Sequence, residues 1–155
     1  MKKHRNTPIF KKSEEIFDTL KIITDLIPEE NTHLNFTKQH ILENIYTIQA
    51  KLVGAEAVKI WDLKMENAAL IRKCARELMV LQHSLKAFGF AEVNYYQIVR
   101  KQLEEFRWLF REWVAEFDPK HFIVDDWGLF NPPGIPQDYE QRDDELNFLD
   151  EDDDF

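Results

Sequence analysis

Between Val99 and Phe117 the apolar residues Val99, Leu103, Phe106, Phe110, Trp113 and Phe117 recur at alternating steps of four and three. That spacing lines side chains along one face of an α-helix. Arg100, Lys101, Glu104, Glu105, Arg107, Arg111, Glu112 and Glu116 fill most of the other positions, so the pattern predicts an amphipathic helix whose seam needs further helices to cover it. Asp118-Pro119 stops it, because proline has no amide to donate and its ring collides with the preceding turn.

Three more stripes precede this one. Ile16, Leu20, Ile23 and Ile27 predict a first helix from about Lys12 to Ile27, with Ser13 as its cap, Glu14 and Glu15 in its first turn and Pro28 beyond its end. Ile41, Ile45, Ile48 and Leu52 predict a second, opened by Asn35 or Thr37 and ending between Leu52 and Val58, where Gly54 weakens the pattern. Ile71, Cys74, Leu78, Leu81, Leu85 and Phe88 predict a third, from near Asp62 to about Phe88, with Gly89 as its stop. The joint Gly89-Phe90-Ala91 is short enough to make the third and fourth helices antiparallel neighbours. The expected fold class is therefore all-α: an antiparallel up-and-down four-helix bundle over residues 12–118, preceded by a flexible basic segment, 1–11.

Beyond Pro119 the pattern changes. Residues 119–136 are rich in proline and aromatics, and Phe122, Trp127, Leu129 and Phe130 predict an extended strap packed on its own helices or on a neighbouring subunit. Residues 137–155 are polar and acidic and are expected to be disordered when free. Charge sharpens this division. The net charge of −9 over 155 residues splits into 19 Lys and Arg against 17 Asp and Glu up to His121, and 1 against 12 after it. A near-neutral body carries an acidic tail, and each is read separately.

The candidate chemistry is sparse. Glu30 to His33 is the one Glu-x-x-His, so the paired set that a di-iron bundle needs is missing and no metal is expected. Cys74 lies on the third stripe, where a thiol is a small core residue and a poor nucleophile. His4, His33, His40, His83 and His121 are scattered, and the 4 Gly stand singly, so no catalytic motif or phosphate-cradling loop is formed. The expectation is a non-catalytic protein with no cofactor and no small-molecule substrate. A single cysteine, no signal-like apolar run and no membrane-length segment point to a cytoplasmic protein without membrane contact.

Cations offer more. Arg72, Lys73 and Arg76 on the third helix and Arg100, Lys101, Arg107 and Arg111 on the fourth are candidates for one outward surface that attracts phosphates. The alternative is that they are solvated positions paired with Glu77, Glu104, Glu105 and Glu112. In the tail, Phe148, Leu149, Asp152, Asp153, Asp154 and Phe155 are either part of a solubilising appendage or a linear motif, charge steering it and aromatics anchoring it in a basic partner. The ending DEDDDF resembles the acidic, Phe-terminated tails of bacterial single-stranded DNA-binding proteins.

From about Phe17 to Trp113 the chain resembles the bacterial four-helix-bundle family of the rRNA intervening-sequence protein and the accessory variability determinant of diversity-generating retroelements. The likeness lies in TDLIP (Thr24 to Pro28), HILENIYTIQAKLV, AALIRKCARELMVLQHSLKAFGF, VNYYQIV (Val93 to Val99) and the closing REWV. The resemblance implies a homo-oligomer, pentameric in the best understood members, that binds a reverse transcriptase and structured RNA through basic surface. By that analogy the seven cations above touch the nucleic acid or the polymerase. The expected function is a self-associating adaptor in a nucleic-acid-handling complex. The alternative is an interaction module whose acidic tail recruits DNA-metabolism proteins without touching nucleic acid.

Overall fold

The computed structural model describes residues 6–150. Four long α-helices dominate it, and no strand occurs among the described residues. The first, α1 (Pro8–Thr24), starts four residues before the expected point. Thr7 is its cap, its hydroxyl accepting from the Phe10 amide at 3.3 Å, and Pro8 takes the first helical position, where a missing N–H costs nothing. Ser13 is therefore not a cap. It is fully buried, donating to the Phe10 carbonyl and accepting from Gln49 Nε2 at 3.3 Å. Ile9 and Phe10 are core residues, so the segment expected to be flexible up to residue 11 is already committed from Thr7 onward. At the other end α1 stops at Thr24, and Ile27 stays buried at the close of a tight turn.

The second helix, α2 (Thr32–Glu56), is capped by Asn31, whose side chain accepts from Leu34 N, rather than by Asn35 or Thr37. Asn35 instead donates to the carbonyls of Pro28, Glu29 and Asn31 and ties down the preceding loop. The helix ends at Glu56, within the expected range, two residues beyond Gly54. Gly54 lies opposite Asn67, where an added Cβ would stand 3.3 Å from Oδ1, marking a close approach to the next helix. That helix, α3 (Trp61–Ala87), has no side-chain cap; its first amide, Trp61 N, donates to the His121 carbonyl at 2.7 Å, so the segment after α4 closes it. At its end Gly89 takes φ +80°, Phe90 N donates to Leu85 O and Gly89 N to Lys86 O, the two hydrogen bonds of a Schellman stop, and Phe90 is buried. A 3-10 turn, Val93–Tyr95, then leads into α4 (Tyr96–Ala115).

The stripe read on α4 is the stripe that packs: Val99, Leu103, Phe106, Trp113 and Phe117 are buried, and Phe110 lies against the same core. Helix α2 lies along α3, while α1 packs on α2 and on α4. Cross-links mark the α1 pairings, Phe17 with Tyr46 of α2, and Thr19 and Lys12 with Gln102 and Glu105 of α4, while Trp113 Nε1 of α4 donates to Glu56 at the end of α2 at 2.8 Å. Helices α3 and α4 meet along a shorter seam. Its anchor is Tyr96, wholly buried, whose hydroxyl donates to Leu78 O at 2.5 Å.

After Pro119 one expectation is narrowed and another is corrected. Phe122 packs as expected and Phe130 is half-buried, but Trp127 and Leu129 do not pack on this chain, being 95% and 74% exposed. The cause is polar. The Asp125 carboxylate accepts from the amides of Trp127, Leu129 and Phe130, and this, with Gly128 at φ +72°, curls the segment into a loop facing outward. Nor is the chain structureless from residue 137. Gln141 bridges Val124 N and Phe122 O, a 3-10 helix spans Asp143–Asp150, and Phe148 is buried, its ring stacked on His121 at 4.8 Å. The buried ring is joined by Tyr139 and the Arg142 amide, both donating to Glu145, so the stretch has an apolar anchor and polar ties of its own. Asp152, Asp153, Asp154 and Phe155 lie outside the described residues.

Candidate functional site: a groove between α3 and α4

The seven cations do not form one surface. Arg72 and Arg76, one turn apart on α3, face Arg107 and Arg111, one turn apart on α4, across a groove of about 360 Å³. Its floor is Ala75, Met79, Leu103, Phe106 and Phe110, with Glu104 at the edge. Tyr96 and Arg100 tie α4 to α3 at Leu78, Met79 and Gln82, and small Ala75 lines the groove.

The other three are placed elsewhere. Arg100 donates to Met79 O at 3.1 Å and Gln82 Oε1 at 3.2 Å, bracing α4 on α3. Lys73 stands 3.9 Å from Glu77, which also meets His40 of α2, so it belongs to the α2 side. Lys101 is exposed near Glu105, on the α1 side. The solvated-pair reading therefore fits Lys73 with Glu77, and Arg107 with Glu104 at 2.8 Å; Glu105 pairs instead with Lys12 at 2.7 Å. That last bond lowers the Glu105 carboxyl and raises the Lys12 ammonium from their ordinary values.

One residue escaped the sequence reading. Trp108 is exposed beside the groove, with the guanidinium of Arg111 4.8 Å and that of Arg107 5.6 Å from its ring. These are cation–π distances, and they hold the two arginines near the groove edge. The available signal was an aromatic lying off the apolar stripe, flanked by arginines in FRWLFR.

Other chemistry is limited. Cys74 is buried, and burial pushes its thiol up, away from nucleophilic thiolate. His33 stacks on Phe88, His40 meets Glu77, and His121 stacks on Phe148 and pairs with Asp118 at 3.5 Å. Among the described residues no group of three or more His, Cys, Asp or Glu could hold a metal ion, and no helix is long and apolar enough to cross a membrane. The chain matches no family model, and neither a curated protein nor a solved structure matches it significantly. What the residues define is an all-α protein with an apolar groove rimmed by four arginines.

Proposed function

We propose that the chain is a non-catalytic, self-associating adaptor in a nucleic-acid-handling complex. In this reading the four helices form an antiparallel up-and-down bundle, and the α3/α4 face binds a reverse transcriptase, structured RNA or both. The observation that carries it is the convergence of Arg72, Arg76, Arg107 and Arg111 from two helices beside an exposed Trp108. Guanidinium groups pair with phosphates and carboxylates in forked geometry, and an exposed indole stacks on bases. The partner class itself comes from the family resemblance. Recruitment by the acidic tail is the weaker reading, because Phe148 is used within its own chain against His121.

The test compares two charge reversals. Arg72→Glu, Arg76→Glu, Arg107→Glu and Arg111→Glu combined should abolish binding to structured RNA or polymerase; with RNA, the salt slope should fall by about 0.7–0.9 for each phosphate that is no longer neutralised. Lys73→Glu with Lys101→Glu should leave binding nearly intact, since those cations lie on other faces. Unchanged binding by the fourfold variant, with helicity preserved, overturns the assignment.

A further inference from the structure

The most exposed large apolar side chains among the described residues are Trp127 and Leu129. They are not loosely held. Asp125 Oδ1 accepts from Trp127 N at 3.0 Å, and its Oδ2 accepts from Leu129 N at 3.0 Å and Phe130 N at 2.8 Å. Asn131 closes the loop from the other side, its Oδ1 accepting from Asp125 N at 2.8 Å and its Nδ2 donating to Asp125 O at 3.2 Å. A loop this well bonded that presents an indole to water loses little freedom on binding, which is the condition for an efficient anchor.

The same molecule holds the complementary surface. The loop carries Asp125 and Asp126 beside the indole and no cation between Phe122 and Gln141. The α3/α4 groove has an apolar floor and four arginines around it. We propose that the Trp127 loop of one copy of this chain seats in the α3/α4 groove of a second copy, indole and Leu129 on the floor of Met79, Phe106 and Phe110, Asp126 among the rim arginines. Donor and acceptor are different surfaces, so the interface is heterologous: each copy keeps a free loop or a free groove, and assembly continues until a ring closes. The inference rests on the self-association in the reading above and names its interface; it does not require RNA. Because RNA would need the same arginines, RNA and self-assembly compete in this arrangement.

The experiment measures the mass of the full chain across the micromolar range by sedimentation velocity, with far-UV circular dichroism as the folding control. The wild type should associate with concentration, and less so in high salt. Trp127→Ala should weaken association about 30-fold, the effect expected for a central aromatic anchor, with an unchanged melting curve because the indole stands almost wholly in water. Arg72→Glu with Arg111→Glu should be equally defective. Mixing the two variants should restore a 1:1 heterodimer that grows no further, each partner supplying the half the other lacks. A wild type that stays monomeric, a Trp127→Ala variant that associates normally, or a mixture without heterodimer overturns the proposal. Association abolished instead by deleting residues 151–155 would assign the groove to the tail and overturn it as well. Failure here with RNA binding still abolished by the fourfold arginine variant leaves the α3/α4 face as a nucleic-acid site, so the two readings are separable.

Discussion

Tyr96→Phe is the sharpest test of the α3/α4 seam, because Tyr96 is the wholly buried residue that bonds α4 to α3. The ring is wholly buried and its hydroxyl donates to the Leu78 carbonyl at 2.5 Å. Phenylalanine keeps the ring and deletes the bond, so nearly all the apolar burial survives. What disappears is one buried hydrogen bond, about 1–2 kcal/mol once the desolvated carbonyl is included. For a chain of this length each kcal/mol moves the melting temperature by about 2–4 °C, giving an expected drop of about 2–8 °C. In urea the midpoint should fall with an unchanged slope, since no surface is newly exposed. Tyr95→Phe, one residue away but exposed, should stay within about 0.5 kcal/mol of wild type.

The pH dependence adds a second readout. Burial pushes the Tyr96 phenol well above its ordinary value of 10.0. The folded state therefore keeps a proton that the unfolded state releases, and the stability this supplies is complete below the unfolded pKa and lost as pH rises towards the folded one. The difference between wild type and Tyr96→Phe should accordingly shrink above about pH 10. Equal melting temperatures at neutral pH, or a difference that stays constant through alkaline pH, would refute the account of this seam.

Gly89→Ala should destabilise by about 1–2 kcal/mol through backbone strain alone, since φ is +80° and an added Cβ meets nothing within 4 Å; calorimetry that finds it neutral would contradict the Schellman stop. Asp125→Ala should free the 125–131 loop, read as faster hydrogen exchange at the amides of Phe130, Trp127 and Leu129. Those amides, Phe130 N first, also hold the Asp125 carboxyl below its ordinary value. Acidification should therefore release the loop as pH falls through that lowered value, while the latch stays complete above the unfolded aspartate pKa.

Which parts of this protein could be read from its residues follows from the range of the forces involved. The helices were legible because apolar periodicity is local: every member of the Val99 to Phe117 stripe packs inward, and Gly89 stops α3 where its position predicts. The caps were less so. Ser13 was read as the cap of the first helix, whereas burial of Ile9 and Phe10 extends that helix back to a Thr7 cap and Pro8.

Sequence alone determined the four apolar seams and the pairing of cations at i, i+4, Arg72 with Arg76 and Arg107 with Arg111. Tertiary structure decided which cations meet. A helix shows its side chains in every direction, and only the neighbour on each side makes one direction a groove, as for Arg72 and Arg76, and another an α2-facing edge, as for Lys73. It also turned Trp127 outward and Phe148 inward, against their shared apolar character. In that stretch backbone groups find their partners in the side chains of Asp125 and Gln141, and the path those bonds impose puts Trp127 on the outside.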